Sequence, residues 1–287
     1  MSRGDTVESR HRVHAVAVRD GAIEAAAGDP MFQTFFRSSA KPLQALPLAR
    51  EYPDLGDDEL AIACASHQAE PKQLEAVRKL LARAGVGEEQ LECGPQPERG
   101  EQRIRHNCSG KHAGFLAVCV ARGWPTRGYR LPDHPLQREL LEEIAFAAGM
   151  EPGELQPAVD GCGVVTFALP LEHMARAFAR LDQLSAGARV IDAMRTRPEL
   201  VGGEGADDTA LMRALPGWVA KRGAEGLLCA TGDGLAVAVK VEDCTARAVR
   251  PALATFLSTI GVEFGDEFAH VPVRNSRDEI VGKVTAG

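Results

Sequence analysis

Arg37-Ser38-Ser39-Ala40-Lys41-Pro42 places a serine three residues ahead of a lysine, at what reads as a helix start. On a helix, residues i and i+3 share a face, so the spacing predicts that the Ser38 hydroxyl and the Lys41 amine meet. A lysine in a partly desolvated pocket loses basicity and can take a serine's proton at neutral pH. The plain alternative is an N-cap serine followed by a surface lysine, which the same six residues satisfy. Pro42 fits either, because the first N–H groups of a helix lack partners anyway.

Working outward, residues 11–27 alternate apolar and polar around Val13, Ala15 and Ala17, and Asp20-Gly21 is a type I′ hairpin signal. Downstream, Pro47 kinks or ends the first helix, and the apolar run Leu60 to Ala65 stops at Ser66-His67. Leu74, Val77, Leu80 and Leu81 predict an amphipathic helix over Pro71 to Ala84, ended by Gly85. Gly94 to Arg103 reads as a loop, and Asn107 or Ser109 as the cap of the helix that follows. Leu136 to Gly149 is another helix, capped by Asp133 or His134, and residues 171–182 and 185–196 are helical. Val201 to Gly205 carries three glycines but lacks the Gly-Lys-Ser/Thr of a P-loop. Gly232-Asp233-Gly234 joins two apolar runs as a hairpin, Pro251 to Ile260 is a helix, and Asn275 to Val284 ends the chain as a strand or strand pair.

Strands at both ends with helices massed between them predict an α+β fold, one domain over residues 1–287. Its antiparallel sheet is expected from about residues 1–36 and 223–287, flanked by a mainly helical part over about 37–222. The composition is 45% hydrophobic and 25% charged, and the net charge of −7 is spread through the chain. Without a basic run or a basic-aromatic stripe, nucleic acid is not an expected partner. Met1-Ser2-Arg3-Gly4-Asp5 is polar and no apolar run approaches the roughly 20 residues of a membrane span, so a cytoplasmic protein without a membrane partner is expected. Seven cysteines, irregularly spaced and without Cys-x-x-Cys, read as free thiols.

Three further stretches concentrate reactive side chains. Ser66 in Cys64-Ala65-Ser66-His67 is either a helix cap or a second serine for the site. Cys108-Ser109-Gly110-Lys111-His112 and Asp160-Gly161-Cys162-Gly163 each hold a cysteine in a glycine turn. Two such thiolates can bind a soft tetrahedral ion such as zinc, although buried free cysteines are also ordinary core residues. Lys240 interrupts the apolar run Ala236 to Val241, where alternation makes it a solvent-facing lysine.

Together these motifs resemble the asparaginase II family, the rhizobial-type or class 3 L-asparaginases, whose fold is that of serine β-lactamases and penicillin-binding proteins. The matching stretches are Arg3-Gly4-Asp5-x-Val7-Glu8-Ser9-x-His11, Arg37 to Pro42, Cys64 to His67, His106 to His112, Asp160 to Gly163, Gly223-Ala224-Glu225-Gly226 and the strand of Lys240. The resemblance implies hydrolysis of L-asparagine to L-aspartate and ammonia by two Ser-Lys pairs, Ser38/Lys41 and Ser66/Lys240. It also implies a zinc ion held by Cys108, Lys111 and Cys162, with Arg37, Asp160 and His67 on the substrate side, and a homodimer. The chain departs from the family pattern at Gln68-Ala69, Val165 and Ala206-Asp207-Asp208. Another serine hydrolase or amidase of the same fold, acting on glutamine, a β-lactam or an ester, and a catalytically silent zinc-binding or regulatory protein are the alternatives.

Overall fold

In the computed structural model, which describes residues 1–263 and 265–287, Asp20 and Gly21 both take left-handed backbone, φ 51° and 76°. This is the type I′ turn that joins β3 (Val13–Arg19) to β4 (Ala22–Ala27). Asp233 and Gly234 repeat the device, φ 53° and 73°, between β9 (Leu227–Gly232) and β10 (Leu235–Val241). With β8 (Val219–Gly223) these strands form a five-stranded antiparallel sheet in the order β4-β3-β10-β9-β8. Helix Leu171–Ala179 packs on β3, β9 and β10, and helix Val249–Ser258 on β3 and β10. Every residue of β10 is buried, so both faces of its alternation are covered. Lys240 is therefore not the solvent-facing lysine that alternation predicts; it is 4% exposed.

The sheet expectation needs two corrections. The outermost residues do not join the main sheet. Instead β1 (Ser2–Arg3), β2 (Thr6–Val7), β11 (Val271–Arg274) and β12 (Ile280–Val284) make a separate sheet in the order β11-β12-β1-β2. In addition, β5 (Gln33–Phe35), β6 (Gln156–Val159) and β7 (Val165–Pro170) form a three-stranded sheet, order β5-β7-β6, partly inside the stretch expected to be helical. The turn Asp160 to Gly163 makes this possible. Asp160 N–H donates to the Val164 carbonyl at 2.8 Å, and Gly163, at φ 82°, turns the chain back.

The helical expectations hold more closely. Helix Pro71–Ala84 ends on left-handed Gly85, φ 66°, and helix Pro135–Ala148 is capped by His134, whose Nδ1 accepts from the Leu136 N–H at 3.2 Å. Helices Lys41–Gln44 and Leu46–Glu51 break at Ala45, just before Pro47. Helix Ser109–Ala121 is not capped by Asn107 or Ser109; Ser109 Oγ donates to the Ile104 carbonyl at 2.7 Å instead. Gly110 lets this helix meet Asp57–Ala63, because a Cβ there would lie 2.0 Å from the Ile62 carbonyl oxygen. Among the described residues, no helix is long and apolar enough to cross a membrane.

Candidate active site

Arg37–Ala40 forms a 3-10 turn that runs into helix Lys41–Gln44. Lys41 is fully buried, which rules out the surface-lysine alternative. Its ammonium nitrogen donates to the Ala65 carbonyl and lies 3.1 Å from Ser66 Oγ. The expected direct bond to Ser38 is absent: Ser38 is half-buried, and its hydroxyl bonds no described residue. The long lysine side chain reaches the Ala65 carbonyl, just past helix Asp57–Ala63, rather than folding back over its own turn. Lys41 thus joins the two serine motifs. Ser39, completely buried, donates from Oγ to the Lys221 carbonyl at 2.8 Å and is locked in place.

Lys221, on β8, is a buried lysine at the candidate site that sequence reasoning missed. Its fully buried ammonium meets Asp208 Oδ2 at 2.9 Å and the Arg222 carbonyl at 3.1 Å. Burial pushes its pKa down to about 8; Asp208 pulls the other way, and the charges of Lys41 and Arg222 add to the fall. Asp208 is completely buried, which raises its pKa, but Lys221 and Arg222 overbalance that and hold the carboxyl below its usual range. Lys221-Arg222-Gly223 has the Lys-x-Gly form of the Lys-Thr-Gly motif of penicillin-recognising enzymes, and that was the signal available in the sequence.

Lys240 is not brought to Ser66. Its ammonium bonds the Val241 carbonyl and sits 3.8 Å from Cys244 Sγ, beside a cleft of about 260 Å³ that Arg37 and Glu225 also line. The Ser66/Lys240 pairing is corrected on this geometry.

His67 is wholly buried. Its Nδ1 accepts from the Ala69 N–H at 3.1 Å, which leaves the ring proton on Nε2, facing Ser109 Oγ at 2.8 Å. Burial, helped by the charges of Lys41 and Arg99, lowers its pKa to about 3, so the ring is neutral. Both nitrogens are committed within the protein, so His67 holds the Ser66 turn and does not face substrate. Arg37, in left-handed backbone at φ 49°, donates from Nε to Asp160 Oδ1 at 2.8 Å. Burial raises the Asp160 pKa, but Lys111 and Arg37 outweigh it and keep the carboxylate charged.

Cys108, Lys111 and Cys162 converge. Lys111 donates to Cys162 Sγ at 3.3 Å. A hydrogen bond from Cys108 and the Lys111 charge lower the Cys162 pKa to about 5 against burial, while the Cys108 thiol is pushed up. Burial opposes the charge on Lys111, and the two sulfurs and Asp160 more than restore it. Two sulfurs and one nitrogen, all buried, fit a soft tetrahedral ion, provided that Lys111 gives up its proton. Among the described residues no three His, Cys, Asp or Glu are placed to hold a metal, so Lys111 is needed to complete the set.

Several solved structures are similar to this chain at low identity. A provisional beta-lactamase from Bacteroides dorei is 12% identical over 81% of this chain and 86% of its own, with a TM-score of 0.45. SurE with D-Leu is 16% identical over 92% of this chain and 74% of its own, TM-score 0.43. A beta-lactamase from Mycobacterium bovis is 14% identical over 80% of this chain and 86% of its own, TM-score 0.35. No curated protein matches. The family comparison is decisive where these are not: the L-asparaginase II family matches residues 1–286, and the chain belongs to that family.

Proposed function

We propose that this asparaginase-type amidohydrolase hydrolyses L-asparagine to L-aspartate and ammonia through Ser38, with Lys41 as its base. The observation that supports the reading most is the buried Lys41 ammonium, 3.1 Å from Ser66 Oγ and one short turn from the unbonded Ser38 hydroxyl. Lys41 takes the Ser38 proton as Ser38 Oγ attacks the side-chain amide carbon. The proton passes back from Lys41, with Ser66 in reach as relay, to the departing nitrogen, which leaves as ammonia. Water then cleaves the aspartyl ester and restores Ser38. Ser39 N–H is spent on the Phe36 carbonyl, so the Ser38 N–H is the donor left for the oxyanion. Lys221, rather than Lys240, is the second lysine of the site.

Cys108, Lys111 and Cys162 would hold zinc, which there would polarise and orient the substrate. Ser38 makes a metal-activated nucleophile unnecessary. The active form, by family resemblance, is a homodimer.

Ammonia release from L-asparagine and L-glutamine, with and without added zinc, tests this reading. No release from either amide by zinc-loaded protein would overturn it. A second reading, β-lactam hydrolysis, draws support from Lys221-Arg222-Gly223 on β8. A nitrocefin assay run beside the ammonia assay separates the two.

A further inference from the structure

Four basic side chains gather at the Ser66-His67 turn, and Asp208 is the carboxylate within ion-pair distance of any of them among the described residues. Lys41 reaches Ser66 Oγ, and Lys221 lies behind it, paired to Asp208. Arg222, on β8, donates from one terminal nitrogen to the Ser66 and Gly202 carbonyls at 3.4 Å each. Arg99, from the short turn Pro97–Arg99, donates to the His67 carbonyl. Two guanidinium groups from distant parts of the chain therefore grip consecutive carbonyls of one turn.

Neither has a carboxylate to itself within ion-pair distance among the described residues. The carboxylate nearest Arg222 is Asp208, 3.8 Å from its Nε and already held at 2.9 Å by Lys221. Arg99 forms no ion pair among the described residues. Burial and the charge of Arg222 lower the Arg99 pKa, and the charge of Glu98 opposes them without cancelling them. The Arg222 side chain is 34% exposed, and most of the N–H donors of both groups are unspent. Such an excess of charge at a partly desolvated site is offset by a bound anion, and the guanidinium fork matches a carboxylate.

We propose that Arg222 and Arg99 form the subsite for the α-carboxylate of a free amino-acid substrate, with its side-chain amide presented to Ser38. The proposal rests on the amidohydrolase reading. Once the amide carbon is at Ser38, the α-carboxylate is the one anionic group left to meet these cations. The enzyme should accordingly reject substrates in which that carboxylate is blocked.

Steady-state kinetics with L-asparagine and with L-asparaginamide, its α-carboxamide, test this on wild type, Arg222→Gln, Arg99→Gln and Arg222→Lys. Wild type should favour L-asparagine. Either glutamine variant should raise KM for L-asparagine at least about tenfold, the loss of one charge-assisted hydrogen bond, with a smaller change in kcat. Arg222→Lys should recover part of the loss, and L-asparaginamide turnover should not change. Circular dichroism confirms folding, and Arg99→Gln serves if Arg222→Gln does not fold. Calorimetric titration with succinate gives a readout independent of turnover. Succinate binding weakened in the glutamine variants, with no amide hydrolysed by any form, would keep the anion subsite and overturn the amidohydrolase reading. Amide hydrolysis intact, with unchanged KM and unchanged succinate affinity in both glutamine variants, would overturn the subsite alone.

Discussion

Lys221 and Asp208 face each other at 2.9 Å with both side chains completely buried. A buried pair of this kind adds little net stability, but half of one is costly. The pair sits directly behind the Ser38-Ser39 turn, because Ser39 bonds the Lys221 carbonyl. Integrity of the site is therefore tied to the charge balance of this pair.

Removing the carboxylate with Asp208→Asn leaves a buried lysine with no compensation. Stability should fall by about 3–5 kcal/mol, measured by denaturant unfolding at neutral pH. A change within experimental error would mean that the pair is not buried as described.

The lowered pKa of Lys221 has a pH signature. Between its folded value of about 8 and the ordinary 10.5, the unfolded chain carries more protons at this residue than the folded one. Stability therefore gains a contribution as pH rises through that window. Unfolding curves of wild type and Lys221→Met across it should differ in slope, with the wild type rising relative to the variant. Parallel curves would contradict the assignment.

The three serines separate by role. Ser38→Ala should lower kcat by about 10⁴-fold or more, and Ser66→Ala by roughly 10²-fold, as loss of a proton relay does. Ser39→Ala should leave kcat nearly intact and remove a buried hydrogen bond worth about 1 kcal/mol. Mass spectrometry of a trapped acyl-enzyme should find the adduct on Ser38; an adduct on Ser66 would reverse the first two roles.

Metal content is predicted at about one zinc per chain by elemental analysis, lost in Cys162→Ser. Because Lys111 must shed a tightly held proton to bind, competition with a chelator should show weaker zinc affinity at pH 6 than at pH 8. Equal zinc in wild type and Cys162→Ser would remove the site.

Ala69 occupies left-handed backbone, φ 62°, where a Cβ is strained. Ala69→Gly should stabilise the protein by about 1 kcal/mol, a rise of roughly 2 °C in Tm. Calorimetric melting decides it.

Local patterns were the legible part of this chain. The helix Pro71–Ala84 was readable to the residue because four apolar positions and Gly85 all lie within it or next to it. Cys108 and Lys111 lie at the start of one helix, yet Lys111 entered as a ligand only through the family resemblance, because spacing marks out thiols and not lysines as metal donors. Lys41 was recognised for its spacing from Ser38, yet its partner proved to be Ser66, 25 residues away, since no periodicity reports where a long side chain goes. Lys221 was missed because β8 reads Val-Ala-Lys-Arg-Gly, short and half polar, and its carboxylate partner lies on a different element. Lys240 drew attention for the opposite reason: a charge inside an apolar strand is conspicuous, but both sheet faces were covered and its ammonium was satisfied locally.

The pairing of β3 with the middle strand β10 joins Val13 to Val241. During synthesis, the first strands must therefore wait for more than two hundred further residues before their sheet can close. At ribosomal speeds the delay is on the order of ten seconds or more. For that time the apolar edge of β3 has no native partner, and only its hairpin with β4 is local enough to form. Chaperone demand on the nascent chain should thus concentrate in the interval before β10 emerges, and a permutant that placed β8 to β10 ahead of β3 would shorten it.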